Sequence, residues 1–182
     1  MASKFKGYMG KVLDVNLTTG AIGEYPVTDE DREKFLGGRF LSTKILWDQL
    51  KSGVDPLSPE NLLIVMTSPL TGTGAPSTSR YDISAKSPLT QAIGHSNSGG
   101  SFGIYLKRAG WDGIVVEGAA DTPVWINIVN DKVAIESADG IWGMDTWDTQ
   151  QEISRRVNPG LRFGEWAEAG DGYTTQVPAV VC

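Results

Sequence analysis

Residues 62–85 read LLIVM TSPLTGTGAPSTSR YDISA. The first five residues are an unbroken apolar run, the mark of a strand buried on both faces. Residues 81–85 form a second strand. Between them, residues 67–80 are too rich in Gly, Pro, Ser and Thr for either regular element. Strand, long loop and strand with no helix between them depart from strict βαβ alternation. The expected class is therefore α+β, with two mixed or antiparallel β-sheets and a few helices. The tetrapeptide SPLT occurs at 68–71 and again at 87–90, each time after a strand. Either the repeat is a coincidence of common loop residues, or two consecutive strands deliver two loops to the same edge of a sheet.

Upstream, residues 11–16 (KVLDVN) alternate as a half-buried strand does, and the turn at 18–20 returns the chain along 21–26 as a hairpin. A short helix is expected over 29–35 behind the cap residue Thr28, and Gly37-Gly38 breaks it. A second helix follows over 40–50, with Leu41 and Ile45, then Leu46 and Leu50, four residues apart. Downstream, residues 101–109 read as a helix and 113–118 as a strand. Residues 124–129 and 132–137 pair across Asn130-Asp131. Asp145 caps a last helix reaching Arg156, with Thr149, Ile153 and Val157 along one side. From residue 158 no period is legible. The expected compact unit is 1–157, and 158–182 is a tail.

At 182 residues, 40% hydrophobic and with six tryptophans, the chain is long enough for about one domain with a sizeable core. Its net charge of −6, with no Lys/Arg cluster, argues against a nucleic-acid partner. No apolar run is long enough for a signal peptide or a membrane span, so a cytoplasmic location is expected. The single cysteine, Cys182, makes no internal disulfide and cannot hold a Cys₄ iron–sulfur cluster or a structural zinc.

The chemistry-bearing stretch is 93–103, IGHSNSGGSFG, which contains the only histidine. Asn97, Ser98, Gly99 and Gly100 run into a helix, whose first amides have no internal partners, and glycine lets a ligand approach the backbone. Phosphate contact and a merely structural helix start both fit, because neither a Walker A nor a G-x-G-x-x-G pattern is present. Arg80, at the end of the small-residue loop, suits bidentate recognition of phosphate or a heterocycle edge, and equally a surface ion pair. It gains weight if the two loops converge on one ligand. His95 has no triad partners and no zinc-ligand companions, so it is expected to be exposed or locally hydrogen-bonded, and no catalytic residue is assigned.

Taken in order, GKVLDVNLTTG, FLGGR, VDPLSPENLLIV, PLTGTGAPSTSRYD, KSPLTQAIGHSNSGGSFG, LKRAGWDGIVVEG and IWG resemble the N-terminal domain of the tungsten-containing aldehyde:ferredoxin oxidoreductases over residues 7–156. The resemblance implies two sheets and a few helices under a tungsten bis-pterin cofactor, tungstopterin, with molybdenum an alternative metal. It implies oxidation of an aldehyde to a carboxylic acid, with electrons leaving through a [4Fe–4S] cluster to ferredoxin. By the family motifs Arg80 lies beside pterin and cluster. The Asn97 carbonyl helps hold a magnesium ion bridging the pterin phosphates, and Ser98, Gly99 and Gly100 contact the cofactor. Ser68 and Phe40 stand where the family usually has glycine. Family members are much longer, with cluster cysteines and a substrate channel in later domains. The partners implied are those domains or a subunit carrying them, ferredoxin and an aldehyde, and a homodimer is compatible. The tail lacks the family's GPAGEN-type continuation, which points to a truncated or frameshifted product. An isolated pterin- or phosphate-binding module and an inactive remnant are the competing readings.

Overall fold

The computed structural model describes residues 4–157 and, as backbone, the strand Gln176–Val181. The chain divides into two compact units, one up to Ala120 and one from Asp121 onward. The first holds β1 (Val12–Asn16), β2 (Ala21–Tyr25), α1 (Asp29–Phe35), α2 (Gly38–Gln49) and β3 (Leu62–Met66). It continues with β4 (Tyr81–Lys86), β5 (Ile93–Ser98), α3 (Phe102–Arg108) and β6 (Gly113–Glu117). These strands form one sheet in the order β2-β1-β6-β3-β4-β5. Only β1 and β6 run parallel. The neighbouring pairs are antiparallel. The sheet is mixed, as expected for α+β.

Apolar spacing explains the core. Leu41, Ile45 and Leu46 of α2 are buried together with Val12, Leu62, Ile64, Met66 and Val115 from the sheet, and Leu50 and Ile93 pack at the margin. Both i,i+4 pairs read from α2 therefore face the core. The strand β1 differs from its expected half-burial: Val12, Leu13 and Val15 are all at or below 1% exposure. Val12 packs in the cluster with α2, and Leu13 and Val15, on the opposite face, are buried as well, so both faces are covered, which alternation alone does not encode.

At α1 the expected cap is present as a reciprocal pair. Asp31 N–H donates to Thr28 Oγ1 at 3.1 Å, and Thr28 N–H donates to Asp31 Oδ2 at 3.0 Å. In FLGGR, Gly38 begins α2 rather than merely ending α1. Gly37 is needed for space: a Cβ there would sit 2.7 Å from the Thr67 carbonyl oxygen and 3.1 Å from Ser68 Cα. Gly37→Ala is expected to cost about 1–3 kcal/mol by overpacking, read as a lowered urea midpoint.

The second unit contains β7 (Val124–Val129), β8 (Lys132–Ser137), α4 (Thr146–Val157) and β9 (Gln176–Val181), with sheet order β8-β7-β9. Its core is Trp125, Ala138, Ile141 and Ile153, with Val157 packed against it. Asp145 Oδ1 accepts from Asp148 N–H at 2.8 Å, which is the expected cap of α4. Two features differ from the single boundary read after residue 157. The contacts divide the chain after Ala120, and β9, inside the stretch without legible period, pairs antiparallel with β7. A single short strand shows little period on its own and is stabilised by pairing with a partner distant in sequence.

Candidate functional site

The structure revises how the two loops meet. Because β3 and β4 are antiparallel, the first SPLT lies where β3 ends and the second lies at the opposite end of β4. They do not share a sheet edge. The second SPLT is the hairpin connection into β5, closed by Ser87 N–H donating to the Ala92 carbonyl at 2.8 Å. Sequence reading missed β5 and left it as loop. After Ile93 its residues, GHSNS, are mostly small and polar, as befits an exposed edge strand, and carry little strand signal.

That missed strand is what brings the candidate residues together. In the β4–β5 pairing Tyr81 faces Ser98 and Asp82 faces Asn97, so Arg80, one residue before β4, arrives beside the end of β5. A guanidinium Nη1 of Arg80 donates to Asn97 Oδ1. Both side chains are exposed. Arg80 has five donors, and this bond orients the fork while engaging one of them.

The register also fixes where the Asn97 main chain points. Antiparallel partners alternate between pairs that exchange backbone hydrogen bonds and pairs that do not. The Ser87–Ala92 bond sets the phase, so Ala85–Gly94, Ile83–Ser96 and Tyr81–Ser98 are hydrogen-bonded pairs and Asp82–Asn97 is not. The bonds of Lys86 agree with this phase, since its amide and carbonyl turn away from β5 to Asn61. The amide and carbonyl of Asn97 therefore face the outer edge of β5, the last strand of the sheet.

After Ser98 the chain turns through Gly99 and Gly100 into α3. Gly100 has φ +84°, and a Cβ there would meet nothing within 4 Å, so the turn is open as well as left-handed. The helix start at Ser101 has no side-chain cap. At seven residues α3 is short, so its dipole is a minor term and the turn's own amides are what it offers. The turn is tied back to the first loop. A Cβ on Gly103 would lie 3.2 Å from the Ser79 carbonyl oxygen, and the Tyr81 and Phe102 rings are 4.7 Å apart.

His95 lies two residues before Asn97, paired with Ser84. Its Nδ1 is 2.8 Å from Ser84 Oγ and its Nε2 is 3.4 Å from Thr43 Oγ1 of α2. It is exposed and locally hydrogen-bonded, as expected. Burial lowers its pKa and the Arg39 charge lowers it further, against an opposing effect of Asp82. With the folded-state pKa depressed, the unfolded chain binds more protons. The stabilisation is then complete above about 6.5 and is lost as pH falls through the folded value. His95→Gln should flatten that small acid-side loss in a pH series of denaturation midpoints, the exposed ring limiting its size.

No group of three or more His, Cys, Asp or Glu able to hold a metal occurs among the described residues. A cation here would rest on main-chain carbonyls and on its ligand's own oxygens. Arg80, the outward Asn97 carbonyl and the open Gly99-Gly100 turn fit such an anionic, cation-bearing group. No helix among the described residues is long and apolar enough to cross a membrane.

The family model for the aldehyde ferredoxin oxidoreductase N-terminal domain matches residues 12–172. The tungsten-containing aldehyde ferredoxin oxidoreductase of Pyrococcus abyssi is 46% identical over 151 residues, covering 83% of this chain and 25% of the relative. An aliphatic sulfonate oxidoreductase WOR-like subunit from Pyrococcus furiosus is 39% identical, over 87% of this chain and 26% of that protein. Among solved structures, the active-site complex BamBC of benzoyl coenzyme A reductase, in complex with 1,5-dienoyl-CoA, superposes with a TM-score of 0.82. It is 37% identical and covers 85% of this chain and 24% of its own. The chain thus spans about a quarter of the length of these relatives. With its mixed sheet, its ordered motifs and this match along most of its length, the chain belongs to the aldehyde ferredoxin oxidoreductase N-terminal domain family.

Proposed function

We propose that this chain is the cofactor-holding part of a tungsten-dependent aldehyde:ferredoxin oxidoreductase, which oxidises an aldehyde to its carboxylic acid. The observation that carries the reading is the convergence at one end of the β4–β5 hairpin. Arg80 is bonded to Asn97, the Asn97 carbonyl faces outward, and the Gly99-Gly100 turn follows at once. When bound, tungstopterin supplies the oxygen-transfer and two-electron chemistry, with molybdenum an alternative metal. The residues of this chain bind and orient. Arg80 neutralises negative charge on the pterin, the Asn97 carbonyl offers an oxygen to magnesium, and Ser98, Gly99 and Gly100 present backbone to the phosphates. One cysteine cannot ligate a [4Fe–4S] cluster, so further domains or a partner subunit carry the cluster, the substrate channel and the path to ferredoxin.

Relatives named for an aldehyde, an aliphatic sulfonate and benzoyl-CoA chemistry share this domain at 37–46% identity. That supports reading it as the part that holds the cofactor rather than the part that selects substrate. The test is to purify the chain anaerobically and quantify tungsten, molybdenum and pterin. Pterin in stoichiometric amount is expected. A clean absence under conditions that load a full-length relative would sink the reading and leave an inactive remnant.

A further inference from the structure

We propose that Thr71 is a positioning residue that sets Arg80 against Asn97. The inference rests on the reading of that pair as cofactor contacts. Thr71 is only 2% exposed, although it lies in a loop whose tip is open to solvent. Its hydroxyl donates to the Arg80 carbonyl at 3.0 Å. It accepts from Ser68 N–H at 3.1 Å, and Ser68 Oγ lies 3.2 Å away. With the Thr71 proton committed to Arg80, Ser68 Oγ is the donor in that last contact. One donor and two acceptor sites are then all in use, the full capacity of a hydroxyl.

The effect is to close the base of the loop over residues 68–80, helped by Gly72 N–H donating to the Thr78 carbonyl at 3.2 Å. The same side chain reaches the other half of the site. Its Cγ2 lies 3.3 Å from where a Cβ on Gly103 would stand, so its methyl group lies against the first turn of α3. Thr71 therefore touches both segments that must agree. The hydroxyl holds the residue carrying the guanidinium, and the methyl abuts the helix that follows Asn97 and the glycine turn. Arg80 is exposed and one residue outside β4, and the Thr71 hydroxyl holds its main chain while Asn97 accepts from its fork.

The test uses the full chain without cofactor and reads exchange of the Arg80 guanidinium protons with water by NMR. In the parent, exchange should be about tenfold slower than in Asn97→Ala, the scale of one charge-assisted hydrogen bond. Thr71→Val, which keeps the shape and removes the hydroxyl, should exchange as fast as Asn97→Ala. Thr71→Ser, which restores the hydroxyl, should return it towards the parent. Parent-like exchange in Thr71→Val overturns the proposal, and so does a Thr71→Ser variant as fast as Thr71→Val. If Thr71→Val does not fold, Thr71→Ala takes its place: Arg80 exchange as fast as in Asn97→Ala is expected, and parent-like exchange overturns the proposal. A chain that passes yet retains no pterin refutes the cofactor reading alone. One that retains pterin while Thr71→Val leaves Arg80 unchanged refutes the positioning role alone.

Discussion

Arg80→Ala is expected to weaken retention of the pterin cofactor by about ten- to a hundredfold, the worth of one or two hydrogen bonds between a guanidinium and an anion. Asn97→Ala removes the amide oxygen that orients Arg80 but keeps the main-chain carbonyl on the outer edge of β5. Its loss should be smaller than that of Arg80→Ala. His95→Ala should leave retention unchanged, since its ring is engaged with Ser84 and Thr43. Pterin content per chain after anaerobic purification reads all three. An Asn97→Ala defect as deep as that of Arg80→Ala would shift the role from the carbonyl to the side chain. A His95→Ala defect alone would move the site.

The largest stability effect is expected at Asp112. Its carboxylate accepts from Met9 N–H at 2.9 Å, Gly10 N–H at 2.8 Å and Lys107 Nζ at 2.8 Å, and the Lys107 and Asp112 side chains are only 7% and 6% exposed. Lys107 also donates to the Gly7 carbonyl at 2.5 Å, and Arg32 donates to that of Gly10 at 3.0 Å. Together they clasp residues 7–10 to the sheet. Burial and the Asp112 charge raise the pKa of Tyr8 inside that clasp, opposed by Arg32. Asp112→Ala strands a buried ammonium and two amides, and about 3–5 kcal/mol of stability should be lost. Lys107→Met should cost less, because the carboxylate keeps its two backbone donors. Denaturant midpoints order the variants, and an Asp112→Ala no worse than Lys107→Met would refute the clasp.

Periodic elements were legible in the sequence because their signals are local. The helix α2 shows its core face in Leu41, Ile45 and Leu46, and Thr28 announces α1. Arg80 and Asn97 were legible as candidates because their residue types and neighbouring glycines limit the chemistry. What brings them together was not, since IGHSNS becomes a strand by pairing with β4 and not by its own pattern. The repeated SPLT suggested convergence for the wrong physical reason, because strand direction puts the two copies at opposite ends of β4. LKRAGWDG reads as a helix end, a turn and the start of a strand within a family motif, with no role for Lys107 or Asp112. Lys107 and Asp112 within it form the clasp, a contact some hundred positions away from its partners in the chain and invisible to any local window.

The central place of β6 has a consequence for how the molecule is made. Residues 113–117 lie between β1, a hundred residues earlier, and β3, and they are the only link in the sheet order between the β2-β1 hairpin and the β3-β4-β5 meander. Those two pieces rest on short-range pairings and can form early, whereas joining them waits on the last strand of this sheet to be synthesised. Until Glu117 has left the ribosome the nascent chain carries two apolar sheet edges, at Val12–Asn16 and Leu62–Met66, with nothing between them. Closure of the six-stranded sheet is therefore timed by the keystone strand, and the interval before it arrives is when this chain most needs protection from pairing with its neighbours.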